Sequence, residues 1–269
     1  MAEMQPRDSA FAALLAERAA DSRRARRDLR SGGGAPTAGQ IALYSNRVAA
    51  DARAQSLLRM DFAAVHDRND RAVAMIASDL DGTFIAGTAF GVSAEGLLVT
   101  NRHVMRAPSG QPARRVRVLF ANTTSWLDAR IVRLDEDSDL ALLQVTTPGR
   151  YATVAGVSRS GALARAGAPV ASIGFPHAID TPMEGSGIDV TARTTIAAGT
   201  VSKRLADVIQ VDSYAGKGSS GSPLFDAKAN VVGVIFGGAP ESGGRIVYAV
   251  PAERLAAFVA AHAPGILRN

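Results

Sequence analysis

From residue 71 onward the chain is broken into short apolar segments separated by glycine, proline and acidic turns, with little helical periodicity between them. The segments fall at 72–78, 83–92, 97–100, 115–120, 126–133 and 140–145, then at 169–173, 190–196, 199–203, 208–211, 223–225, 231–236 and 245–249. Parallel strands need crossovers of a dozen or more residues, usually helical. Segments this short and this closely spaced therefore predict an all-β domain, an antiparallel sandwich or a pair of barrels. The run that follows Pro251 to residue 261 reads as a closing helix with proline in its first turn.

The first seventy residues have a different texture. Phe11, Leu14, Leu15 and Arg18 recur at helical spacing within 9–29, and Ser31-Gly32-Gly33-Gly34-Ala35-Pro36 ends that pattern. Thr37-Ala38-Gly39-Gln40 has the form of a capping box. It opens a second helix through about residue 60, with Ile41, Tyr44, Val48, Ala52, Gln55 and Leu58 on one face. The expected organisation is a helical extension over 1–70, one β unit over 71–160, a second over 161–250, and a helix and tail over 251–269. The extension is expected to pack on the main domain, on a second copy of the chain or on a partner protein.

Composition narrows the chemistry. The chain has no cysteine, which excludes disulfides, zinc–thiolate sites and cysteine nucleophiles. The net charge of +5 is modest for 269 residues. Its one dense basic run, Arg23, Arg24, Arg26, Arg27 and Arg30, has no interleaved aromatic residues and reads as a solvated helix face, so no nucleic-acid partner is expected. No stretch approaches the roughly 18 apolar residues needed to span a membrane. Glu3 and Asp8 stand where a secretory signal would be positive, and the apolar run 11–16 is short for one. The expected location is therefore cytoplasmic, with a periplasmic or secreted protein whose signal has been removed as the alternative. No cluster has metal-ligand spacing and no phosphate loop is evident, so neither a metal nor another cofactor is expected.

Three local motifs carry candidate chemistry. The apolar stretch Leu97-Leu98-Val99-Thr100-Asn101 runs into Arg102-His103-Val104. The acidic turn Asp135-Glu136-Asp137-Ser138-Asp139 runs into the strand-like Leu140-Ala141-Leu142-Leu143. Gly218-Ser219-Ser220-Gly221-Ser222-Pro223 places a hydroxyl inside a glycine-rich turn. A serine hydroxyl near neutral pH is a weak nucleophile and needs an adjacent base, itself oriented by a third group. Of the three acids in the turn, Asp139 alone immediately precedes the apolar strand, which favours an oriented carboxylate there. Asp135 and Asp137 read as solvated turn acids, Ser219 and Ser222 as backbone formers, and His66, His177 and His262 as surface or packing residues.

Taken together, these motifs resemble the chymotrypsin-fold serine proteases, in texture most like the bacterial HtrA/Deg and glutamyl-endopeptidase branches. Gly87-Thr88-Ala89-Phe90-Gly91-Val92 through His103-Val104 resembles G-x-G-F…G-x-[IL]-[VL]-T-N-x-H-V. Asp139-Leu140-Ala141-Leu142-Leu143 matches D-[IL]-A-[VL]-[LI], Ile173-Gly174-Phe175-Pro176 resembles the G-[NYF]-P turn, and Gly199-Thr200-Val201-Ser202 the G-x-V-S strand. Ile209-Gln210-Val211-Asp212 leading to Gly218–Pro223 matches I-Q-x-D…G-x-S-G-[GS]-P. The likeness covers about 72–262; the first seventy residues have no recognised counterpart, and no PDZ domain follows.

The resemblance implies two six-stranded antiparallel Greek-key barrels with the reacting groups between them, acting on a protein or peptide substrate. It implies Ser220 as nucleophile, His103 as general base and then acid, and Asp139 as the group that orients the imidazole. The amides of Gly218 and Ser220 would form an oxyanion hole. Where relatives that cut after arginine or lysine carry an acid, this chain has Tyr214. Where glutamate-preferring relatives carry a histidine, it offers Ile235 and Phe236. The expectation is an apolar pocket bounded by Tyr214, Phe236 and Gly237 that takes small or medium aliphatic side chains, unless Tyr214 plugs it. Ser219 replaces the acid that zymogen activation uses, so control would come from loops, partners or assembly. A catalytically silent or latent binding module of the same fold is the alternative.

Overall fold

A computed structural model describes residues 60–178, 183–185 and 190–267. The helices expected over 9–29 and 37–60 lie outside these residues, apart from Met60. Within them twelve strands form two closed antiparallel barrels. The first contains β1 (Val73–Leu80), β2 (Thr83–Gly91), β3 (Leu97–Asn101), β4 (Arg115–Phe120), β5 (Leu127–Leu134) and β6 (Leu140–Val145), hydrogen-bonded in the order β1-β2-β3-β6-β5-β4. The second contains β7 (Pro169–Gly174), β8 (Thr195–Arg204), β9 (Ile209–Asp212), β10 (Pro223–Phe225), β11 (Val231–Gly238) and β12 (Ile246–Pro251), in the order β10-β11-β12-β9-β8-β7. β1 closes on β4 and β7 on β10, so neither sheet leaves an unpaired edge.

Local chemistry accounts for the turns. β1 and β2 pair without slippage from Val73↔Phe90 to Leu80↔Thr83, across the two-residue loop Asp81-Gly82. Both loop residues have positive φ, +53° and +83°, as the hairpin turn that matches strand twist requires. Helix α1 (Phe62–Asn69) starts where Asp61 Oδ1 accepts the Ala64 N–H at 2.9 Å. Helix α2 (Ala252–His262) follows directly from β12, with Pro251 as its capping residue just ahead of the first turn.

Several strands are apolar on both faces because each face meets a different core. Ala74 and Ile76 of β1 point into the first barrel with Leu98, Val118 and Leu143. Val73 and Met75 of the same strand join a second cluster, which holds Phe90 and Leu142 from the first barrel and Phe225 and Val234 from the second. Val65 of α1 and Leu255, Phe258 and Val259 of α2 complete it. A third cluster, with Val170, Val201, Ile209, Leu224 and Val247, fills the second barrel.

One strand differs from the sequence reading by more than its ends. The segments expected at 190–196 and 199–203 are joined in the single strand β8, which begins only at Thr195. Gly199 does not break it. A side chain there would come within 2.7 Å of Ser213 Cβ, so this glycine serves the close approach of a neighbouring segment.

Candidate active site

His103 sits in the single 3₁₀ turn Arg102–Val104 that ends β3. Val104 is buried beneath it, packed where a side chain at Gly87 would lie. Asp139 adopts a left-handed backbone, φ +53°, a conformation aspartate tolerates better than most residues. Its carbonyl accepts from Arg102 N–H and from Asn101 Nδ2, each at 3.0 Å, which fixes the turn against the end of β3. Both carboxylate oxygens then meet one residue. Oδ1 accepts the His103 backbone N–H at 3.0 Å, and Oδ2 lies 2.7 Å from Nδ1. A neutral imidazole facing an ionised carboxylate, which only accepts, carries its hydrogen on Nδ1 and leaves the Nε2 lone pair unshared. The Asp139 side chain is 25% exposed, so it is oriented without being sealed from water. Asp135 accepts from Ser138 Oγ within the turn, and Glu136 pairs with Arg102 and Arg106.

The turn around Ser220 is pinned peptide by peptide. The Lys217 carbonyl accepts from His177 N–H, and the Gly218 carbonyl accepts from Thr88 Oγ1 at 2.8 Å. The Ser219 carbonyl accepts from Ser222 N–H at 3.0 Å, and the Ser220 carbonyl from Thr88 N–H at 2.8 Å. Ser219 N–H donates to Gly216 O and Gly221 N–H to Ile235 O. In a trans peptide the N–H points opposite to the preceding carbonyl. The amides of Gly218 and Ser220 are thus aimed away from their engaged carbonyls, and neither meets an acceptor among the described residues. Gly218, at φ +91°, and Gly221, at φ +89°, hold conformations that disfavour side chains. A side chain at Gly221 would fall on the carbonyl oxygen of Thr88.

His103, Gly218 and Ser220 line one cavity of about 660 Å³, with Phe84, Ile85 and Trp126 among its apolar walls. No hydrogen bond joins His103 to Ser220 Oγ; such bonds are often loose before substrate arrives. Tyr214, Phe236 and Gly237 do not line this cavity. Tyr214 is exposed, and its hydroxyl lies 2.8 Å from His177 Nε2. Phe236 stacks with Tyr248 at 6.3 Å, and a side chain at Gly237 would meet nothing within 4 Å.

Two residues matter that the sequence reading passed over. Thr88, inside the Gly87–Val92 stretch, is fully buried and bonds to the serine turn twice. His177, read as a surface or packing residue, is exposed but lines the cavity and holds the Lys217 carbonyl. Its position directly after Gly174-Phe175-Pro176 was the available signal. Among the described residues no group of histidine, aspartate and glutamate could hold a metal ion.

The family model described as a trypsin-like peptidase domain matches residues 87–234. Serine protease HTRA1A of Danio rerio is 30% identical over 186 residues, 69% of this chain and 36% of that protein. Protease Do-like 1, chloroplastic, of Arabidopsis thaliana is 29% identical over 177 residues, 65% of this chain and 38% of the relative. A Brucella suis protein named "Probable periplasmic serine endoprotease DegP-like" is 30% identical over 169 residues, covering 62% and 31%. The chain thus spans well under half the length of these relatives. Among solved structures, the HtrA-type protease AlgW with tripeptide is similar at a TM-score of 0.61 and 28% identity, covering 76% of this chain and 64% of that one.

Proposed function

The chain belongs to the trypsin-like peptidase family, and on that premise we propose that it is a serine endopeptidase working through an acyl-enzyme intermediate. The observation that carries the reading is a histidine, oriented through Nδ1 by a carboxylate, facing the cavity that Ser220 and two acceptor-free amides share. In this reading Ser220 Oγ attacks the carbonyl carbon while His103 Nε2 takes its proton. The oxyanion that forms is held by the amides of Gly218 and Ser220. His103 then returns the proton to the leaving amine as the C–N bond breaks, and water repeats the cycle on the ester. Asp139 keeps the imidazole in the required tautomer and stabilises the imidazolium.

The pocket for the residue before the scissile bond is assigned to Tyr214, Phe236 and Gly237, with small or medium apolar side chains preferred. The open space at Gly237 and the absence of an acid at Tyr214 support that preference. The substrate is a protein or peptide, in keeping with the tripeptide in the AlgW complex. The expected cytoplasmic location finds no support among the relatives, two of whose names place them in the chloroplast and the periplasm; a periplasmic location is proposed instead. No described helix is long and apolar enough to cross a membrane.

A latent form is the second reading. It is favoured by Tyr214, whose hydroxyl is held at His177. A fluorophosphonate probe separates the two. Labelling that disappears in Ser220→Ala and falls sharply in His103→Ala supports the endopeptidase. An unlabelled wild-type chain with intact fold supports the silent module.

A further inference from the structure

Thr88 belongs to the first barrel, yet its N–H and its hydroxyl are both spent on the nucleophile's surroundings. Its side chain is fully buried on β2. Oγ1 donates to the Gly218 carbonyl at 2.8 Å and accepts the Phe175 N–H at 3.1 Å. Its N–H donates to the Ser220 carbonyl at 2.8 Å, and its carbonyl accepts Thr100 Oγ1 at 2.7 Å. Gly221 makes room for it, since a side chain there would collide with the Thr88 carbonyl. A side chain at Gly174 would strike Ser222 Oγ first and would lie 3.1 Å from Thr88 Oγ1.

The two partners of the hydroxyl bear on the two peptide planes that meet at Gly218 Cα. The Gly218 carbonyl fixes the peptide plane that follows Cα of Gly218. Phe175 N–H begins the turn whose His177 N–H holds the Lys217 carbonyl, and that carbonyl fixes the plane preceding it. His177 and Ala178 both have positive φ, +61° and +48°, so this turn is held in a conformation that its residues do not favour alone. One hydroxyl thus ties together both structures that aim the Gly218 N–H.

We infer that Thr88 is a positioning residue for hydrolysis, its hydroxyl holding the Gly218 amide in the direction that an oxyanion requires. The inference rests on the serine-endopeptidase reading for its catalytic consequence, but the hydroxyl bridge can be read without activity. Valine has the shape of threonine without the hydroxyl, so Thr88→Val leaves the Gly218 carbonyl and the Phe175 N–H without their partner.

A group that acts only on the transition state changes kcat and leaves KM alone. A misplacement of about 1 Å costs on the order of 100-fold. Thr88→Val should therefore lower kcat about 10- to 100-fold with KM within about twofold. It should weaken a peptide boronic acid by a similar factor while leaving product-peptide affinity unchanged. Thr88→Ser, which keeps the hydroxyl, should recover most of kcat. In hydrogen exchange followed by NMR, the Phe175 amide should lose protection in Thr88→Val and keep it in Thr88→Ser.

Unchanged kcat and boronate affinity in a folded Thr88→Val would overturn the inference, as would equal losses in Thr88→Val and Thr88→Ser. Unchanged Phe175 exchange would do the same. If Thr88→Val does not fold, Thr88→Ala carries the same comparisons with Thr88→Ser. A wild type that never hydrolyses peptides defeats the endopeptidase reading alone, because the Phe175 exchange still decides whether the hydroxyl is the tie.

Discussion

At the scale of single residues, the sequence showed which types were present but not how their atoms divide the work. Asp139 was singled out because it directly precedes an apolar strand, and it does bond His103. The use of both its oxygens on one residue could not be read from spacing, because it depends on the left-handed turn at φ +53°. That geometry predicts the outcome of Asp139→Asn. The backbone N–H of His103 can only donate, so the amide must place its oxygen there and turn its NH₂ toward Nδ1. Nδ1 becomes an acceptor, the hydrogen moves to Nε2, and in the proposed mechanism Ser220 loses its base. Where this tautomer change has been isolated in a Ser-His-Asp triad it costs about 10⁴ in kcat with the geometry intact. A similar fall is expected here, measured by steady-state hydrolysis, with the thermal midpoint close to wild type. Gly221→Ala should act differently, since its methyl would strike the Thr88 carbonyl from an unfavourable φ. It should lower both stability and Ser220 labelling, the first seen by thermal melting and the second by probe incorporation.

At the scale of elements, short strands bounded by glycine and proline were legible wherever the bounding residue really turns the chain. The segments 115–120, 140–145 and 223–225 have the observed limits. β8 was divided because Gly199 looked like punctuation, whereas its role is close approach to Ser213. α1 falls between the helix read through about residue 60 and the first strand, inside the extension expected over 1–70; the cap at Asp61 marks its start through a bond that only coordinates reveal. The residues assigned to the specificity pocket were the hardest to place. Spacing from Ser220 says which strand carries Phe236 and Gly237, but not that Phe84, Ile85 and Trp126 wall the cavity shared by His103 and Ser220. The cap offers an element-scale test. Asp61→Ala removes the acceptor of the Ala64 N–H and should cost about 1 kcal/mol of stability. Peptidase activity at low temperature should be unchanged, since α1 contributes nothing to the cavity. Chemical denaturation followed by circular dichroism checks the first part, and a rate assay the second.

At the scale of the whole molecule, the two barrels share a core, and this should make them unfold together. Phe90 and Leu142 of the first barrel pack in the same cluster as Phe225 and Val234 of the second. Asn69 adds a polar clasp with a fully buried side chain. Nδ2 donates to Val65 O at 3.0 Å and to Ala229 O, in the turn between β10 and β11, at 3.4 Å; Oδ1 accepts from Ala155 N–H, on the connection between the barrels, at 2.9 Å. Replacing it with leucine keeps the volume but leaves those backbone groups without their partner, at about 1–3 kcal/mol. Two probes report on separate barrels. Backbone NMR signals of Val118, in the core of the first barrel, and of Val247, in that of the second, follow each one by itself. Wild-type denaturation should give coincident midpoints for the two signals, as a single cooperative unit requires. Asn69→Leu should move both midpoints down together by several degrees in a thermal series, with fluorophosphonate labelling of Ser220 at low temperature retained. A shift in one probe without the other would mean that the shared cluster does not couple the barrels. The opposition of His103 and Ser220 would then depend on each barrel's own stability rather than on their joint core.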